Sequence, residues 1–143
     1  MSISARNQLS GTVHAIVEGS VNDEVVLSLD GGEKLTTVIT KASCKTLGLV
    51  VGKPAIALIK APWIILASLD CGLNFSARNQ FTGKIKTVTK GAINSTVEVV
   101  TVNGLALTSV ITNESLEEMA LSSGSEVTAL FKASSVILAT KKI

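Results

Sequence analysis

Ser4-Ala5-Arg6-Asn7-Gln8 recurs letter for letter as Ser76-Ala77-Arg78-Asn79-Gln80, and this recurrence decides how the chain is organised. The offset, Ser4 to Ser76, is 72 positions, and it holds without a gap: Gly11 falls on Gly83, Gly19 on Gly91, Asn22 on Asn94 and Gly32 on Gly104. Later matches keep the same register. Val38-Ile39-Thr40 pairs with Val110-Ile111-Thr112, Lys60-Ala61 with Lys132-Ala133, and Ile65-Leu66-Ala67 with Ile137-Leu138-Ala139. The chain is a tandem duplication. Its expected domains are residues 1–69 and 76–143, joined by a linker at 70–75.

Inside each repeat the apolar residues alternate with polar ones, as in Val13, Ala15 and Val17, or Val25, Leu27 and Leu29, which is the pattern of half-buried strands. Turn chemistry separates them at Asn22-Asp23 and Asp30-Gly31-Gly32, with Asn94-Ser95 and Asn103-Gly104 in the second copy. The alternation lapses over residues 40–47 and 112–121. A short helix is expected there, with Gly48 and Gly124 as its stops. Two more apolar segments follow, residues 55–60 and 63–67, divided by Pro62 in the first repeat and by Ser134-Ser135 in the second. The expected fold class is all-β with one short helix per unit: tandem, five-stranded β-barrels of the oligonucleotide/oligosaccharide-binding (OB) type. A unit of about 65 residues has a marginal core, so an oligomer is expected.

Composition excludes more than it selects. With 13 Lys+Arg against 11 Asp+Glu the 143-residue chain carries a net charge of only +2, too little for a protein held mainly by phosphate backbones. Trp63, Phe75, Phe81 and Phe131 are its whole aromatic set, a poor supply for stacking bases. Neither nucleic acid nor membrane is an expected partner: the longest apolar stretch, residues 55–69, is broken by Lys60 and Pro62 and falls short of the roughly 20 residues of a spanning helix. The first residues lack the apolar core of a signal peptide, which makes the cytoplasm the default address. Cys44 and Cys71 have no metal-ligand spacing and His14 is alone, so no bound metal ion is expected. His14 would be the first choice of catalytic base; its place in the second repeat is Lys86, no nucleophile–base–acid trio is evident, and the chain is not expected to be an enzyme.

Core positions tolerate exchange among Val, Ile and Leu, so hydrophobic patterning does not account for the duplicated polar residues. Ser4, Arg6, Thr40, Ser43 and Lys60, and their copies Ser76, Arg78, Thr112, Ser115 and Lys132, are all hydrogen-bond donors, and none carries negative charge. Thr40 and Ser43 stand at the expected helix start. Taken singly, these two read as an ordinary N-cap, Arg6 as a surface ion pair and Lys60 as a snorkelling strand residue. As a set they read as an anion site, and a small tetrahedral oxyanion suits a set of donors that has neither aromatic wall nor acceptor.

These motifs resemble those of the molbindin, or Mop-domain, family: Ser-Ala-Arg-Asn-Gln followed by Gly11, then Ile39-Thr40-x-x-Ser43, then Lys60-Ala61-Pro62-Trp63. The resemblance covers essentially the whole chain as two tandem copies. It implies reversible binding of molybdate, with tungstate as an alternative ligand, for intracellular molybdenum storage, buffering and homeostasis. It further implies a homotrimer with its sites where subunits meet. By position, the ligand-binding residues it implies are Ser4, Arg6, Thr40, Ser43, Lys60 and the backbone of Ala61, and in the second copy Ser76, Arg78, Thr112, Ser115, Lys132 and Ala133. In the second copy Lys41-Ala42 becomes Asn113-Glu114, which sets a carboxylate beside the helix start. A nucleic-acid-binding OB barrel or a regulatory interaction module is the alternative reading.

Overall fold

A computed structural model describes residues 2–142. The element order follows the repeat. β1 (Asn7–Glu18), β2 (Asn22–Leu29) and β3 (Lys34–Thr40) precede α1 (Lys41–Thr46), and β4 (Pro54–Ile59), a 3₁₀ turn (Ala61–Trp63) and β5 (Ile65–Ser68) complete the first copy. The second copy is β6 (Asn79–Lys90), β7 (Asn94–Thr101), β8 (Ala106–Thr112), α2 (Asn113–Glu118), β9 (Glu126–Phe131), a 3₁₀ turn (Ala133–Ser135) and β10 (Ile137–Ala139). All pairings are antiparallel, as hairpin-length connections require.

The compact units do not coincide with the two halves of the sequence. Among the described residues, one unit comprises 2–59 together with 132–142, and the other 60–131. The last strand of each repeat has changed places. The first sheet runs β10-β4-β1-β2-β3 and the second β5-β9-β6-β7-β8. The boundaries expected at 69 and 76 delimit the sequence repeats, whereas the compact units follow the strand pairing. The physical reason is degeneracy: Leu138 pairs with Ala57 in one sheet and Leu66 with Ala129 in the other, so either terminal strand presents the same Ile-Leu-Ala face to either partner. In each unit the two edge strands of the sheet, β3 with β10 and β8 with β5, also approach one another, so the sheet curls into a small, nearly closed barrel.

The alternation read from sequence is the core. Val25, Leu27 and Leu35 are fully buried in the N-terminal unit, as are Val97, Val99 and Leu107 in the other, while Phe81 and Phe131 stack with centroids 5.9 Å apart. The first strand crosses its neighbour tightly at the repeated glycine: a Cβ on Gly11 would lie 2.6 Å from the Ser28 carbonyl oxygen, and one on Gly83 2.3 Å from that of Val100. Both long strands carry a bulge, between Val13 and Ala15 and between Ile85 and Thr87, which bends them around the barrel and leaves His14 and Lys86 exposed.

The helix stops differ from expectation. Gly48 follows α1 at φ 62°, but its counterpart after α2 is Ala120 at φ 51°, and Gly124 lies in a later turn, at the position that Gly52 holds in the first repeat. A left-handed residue ends both helices; in the second repeat a side chain bears that conformation at some cost.

Candidate functional site

Thr40 is the N-cap of α1. Its Oγ1 accepts the Ser43 N–H at 3.0 Å and donates to Ser43 Oγ at 2.8 Å, which leaves Ser43 its own hydroxyl proton to donate outward. Thr112 and Ser115 repeat the arrangement at 3.1 and 2.9 Å. The capping role that each pair could play alone is real, and it coexists with a second feature: each pair borders a groove.

In the N-terminal unit the groove is a cavity of about 590 Å³ between β3, α1 and the 3₁₀ turn before β10, lined by Thr40, Ala42, Ser43 and Ser134 over an apolar floor that includes Val136 and Leu138. In the other unit it encloses about 410 Å³ and is lined by Thr112, Ser115 and Pro62 over Ile64 and Leu66. No carboxylate lines either groove among the described residues.

The strand exchange regroups the donor sets. Lys132 and Ala133, from the end of the second repeat, share a unit with Thr40 and Ser43, whereas Lys60 and Ala61 share one with Thr112 and Ser115. Sequence spacing grouped Lys60 with Thr40 because it follows chain order; pairing of β10 with β4 overrides that order. Lys60 and Lys132 are exposed and stand at the start of the 3₁₀ turns, while Ala61 and Ala133 are buried within them. Lys60 Nζ lies 5.8 Å from the centre of the Trp63 ring, a cation–π distance.

Ser4 and Arg6 are exposed in the segment leading into β1, and neither lines the groove of its unit; Ser76 and Arg78 are placed likewise before β6. The remaining polar residues of the five-residue motif serve the fold. Asn7 is buried and donates from Nδ2 to the Ile59 carbonyl at 3.2 Å, and Asn79 is equally buried. Gln8 donates to the carbonyls of Ile3 and Ala5, and Gln80 to those of Phe75 and Ala77, so each glutamine ties down the segment that carries the serine and arginine. The barrel thus uses two of the motif's side chains, the Asn and the Gln, for its own hydrogen bonds. Ser134 is not among the site residues expected from sequence, yet it lines the groove of the N-terminal unit; its alignment with Pro62 was the available signal.

The surrounding charges are structural. Lys41 donates to Glu18 at 3.2 Å and to the buried Asp23 at 3.3 Å, and Asp23 also accepts the Gly19 N–H at 3.2 Å. Burial acts to raise the Asp23 pKa, but Gly19, Lys41 and the Cys44 thiol outweigh it and hold the carboxyl below its ordinary value. Cys44 is buried in the core, and that burial pushes its thiol up, with Asp23 adding to the shift. No group of three His, Cys, Asp or Glu side chains among the described residues could hold a metal ion.

A family model described as the TOBE domain matches residues 3–66 and again residues 76–138. The chain belongs to the TOBE-domain family. The molybdenum-pterin-binding protein MopA of Rhodobacter capsulatus is 42% identical over 139 residues, 97% of this chain and 52% of that protein. The molybdenum transport protein ModE of Herbaspirillum seropedicae is 35% identical over 142 residues, 99% of this chain and 53% of that one. This TOBE protein therefore spans about half the length of the curated relatives it matches. A solved structure of the cytoplasmic molybdate-binding protein ModG, with molybdate bound, superimposes with a TM-score of 0.94 at 44% identity, covering 99% of this chain and all of ModG. The Mop-type resemblance carried by the repeated motifs is met by these relatives, as is the tandem OB-like fold.

Proposed function

We propose that this tandem TOBE protein binds molybdate, and tungstate as a close substitute, reversibly and without turnover, as an intracellular store and buffer of molybdenum. The observation that carries the proposal is the convergence, in each unit, of a Thr–Ser helix cap and the turn that follows a lysine on one carboxylate-free groove. A dianion there meets hydroxyl donors and no carboxylate. Charge-assisted hydrogen bonds contribute roughly 1.5–3 kcal/mol each. Several of them support micromolar affinity, about −8 kcal/mol, once ordering costs are met.

The arginine-bearing segments do not line the groove of their own unit, which supports sites completed where subunits meet in a homotrimer, with Arg6 and Arg78 supplied across the interface. Cytoplasmic work accords with the nature of ModG, and no helix among the described residues is long and apolar enough to cross a membrane. A second reading, in which the chain acts as the ligand-sensing half of a regulator, draws on its match to ModE proteins over about half their length.

Equilibrium dialysis of the purified protein against molybdate, tungstate, sulfate and phosphate tests the proposal. Saturable molybdate uptake at tens of micromolar is expected, with Arg6→Ala and Arg78→Ala each removing one class of site while the folded oligomer persists. Negligible uptake would refute it.

A further inference from the structure

The two grooves differ most at the 3₁₀ turn that borders them. In the N-terminal unit the turn is Ala133-Ser134-Ser135, and Ser134 lines the groove beside Thr40 and Ser43. In the other unit Pro62 occupies the same place beside Thr112 and Ser115. Serine offers a hydroxyl and a backbone N–H at that point; proline offers neither. The lysine ahead of the turn differs too. Lys60 is held at cation–π distance from Trp63, whereas the residue in Trp63's place after Lys132 is Ser135, which has no ring. At the helix start, Glu114 adds a carboxylate to the first turn of α2 where α1 has Ala42. Lys41 does not reverse the balance, because Glu18 and Asp23 already neutralise it.

All three differences act in one direction on an anion. Both cavities hold a tetrahedral oxyanion with room to spare, so chemistry rather than volume separates them. We infer that the grooves are unequal sites: the one bordered by Ser134 fills first and holds the oxyanion more tightly, and the Pro62–Trp63 turn makes the other a weaker site that fills only when ligand is abundant. Ser134 is then an affinity-setting residue that the end of the second repeat contributes to the helix cap of the first. This inference rests on the molybdate reading of the grooves.

The test is a molybdate titration of the full chain alongside Ser134→Pro and Pro62→Ser. Each substitution installs the residue that the other repeat already carries at that turn, so the backbone accepts it. The unaltered protein is expected to bind in two phases about tenfold apart in Kd, the spread of one charge-assisted hydrogen bond. Ser134→Pro should abolish the tighter phase, and Pro62→Ser should draw the weaker phase up to it. Crystals of the unaltered protein grown with limiting molybdate should show anomalous scattering from molybdenum in the Ser134 groove, a readout that needs no variant. A single phase indifferent to both substitutions, or equal occupancy at limiting ligand, overturns the inference and leaves the molybdate reading standing. Absence of molybdate uptake by all three proteins overturns both.

Discussion

The end of the first strand is tied to the helix in both units, by opposite chemistry. In the N-terminal unit the strand supplies the acid, Glu18, and the helix the base, Lys41, with the buried Asp23 as a second acceptor. In the other unit the strand supplies the base, Lys90, which donates to Glu117 on the helix at 2.8 Å. The buried carboxylate is replaced there by Ser95, which donates to Asn113 Oδ1, while Asn113 Nδ2 donates to the Gly91 carbonyl at 2.9 Å. Asp23–Lys41 and Ser95–Asn113 occupy matching positions, and both members have changed together. What the fold requires at this point is a satisfied donor–acceptor pair joining the second strand to the helix start; formal charge is one of two solutions, because an unpaired buried polar group is what costs free energy.

The largest expected effects fall where the units agree. Gly11→Ala and Gly83→Ala each drive a Cβ into a neighbouring carbonyl oxygen, and each should lower stability by about 3 kcal/mol in denaturant unfolding. A clear inequality between them would show that the crossing is not the same in the two barrels. Next comes the clamp itself. Asp23→Ala removes the acceptor of the Gly19 N–H and one of the two acceptors of the Lys41 ammonium, and should cost more than Ser95→Ala, which removes one neutral hydrogen bond of about 1 kcal/mol. Transplanting the second repeat's solution as the Asp23→Ser, Lys41→Asn double variant should recover most of the loss. Failure to recover it would mean that the charge itself is required.

A smaller gain is expected from Ala120→Gly, since glycine relieves the left-handed strain that Gly48 already avoids; thermal unfolding should register about 0.5–1 kcal/mol of added stability. The subtlest difference is in pH response. Asp23 titrates below its ordinary value, so its contribution is complete at neutral pH and disappears only as pH falls below about 4, through the lowered pKa. Lys41 is raised, chiefly by Glu18 with burial opposing and Asp23 assisting, so its contribution lasts until pH climbs past about 10.5. The Ser95–Asn113 pair does not titrate, and the carboxylate that ties the strand end to the helix there is the exposed Glu117, lowered by Lys90. Hydrogen exchange on acidification should therefore show β1, β2 and α1, which hold the buried Asp23, losing more protection than β6, β7 and α2. The reverse order would break the comparison.

The repeat, the strands and the helix starts were all legible in the chain, because each depends on neighbours a few residues away: period-two burial, Asn and Gly at turns, and a Thr-x-x-Ser cap that closes on itself. The left-handed alanine was not. Gly124 looked like the helix stop because glycine tolerates positive φ, yet the exposed Ala120 takes that conformation at the helix end, where its N–H donates to the Glu117 carbonyl and the Leu121 N–H to that of Leu116. The serine–arginine segment was legible as a unit, but the work of its Asn and Gln partners was not, since their acceptors become apparent only when β1 lies against β4 and the leading segment folds back.

Sequence by itself determined the barrel twice over, its core and the donor-only character of the duplicated polar residues, since these follow from local periodicity and side-chain chemistry. Only the tertiary structure decided which lysine and which turn join which helix cap. Ile65-Leu66-Ala67 and Ile137-Leu138-Ala139 are interchangeable as strands, so no local preference distinguishes one partner from the other, and the assignment arises from packing of the whole chain.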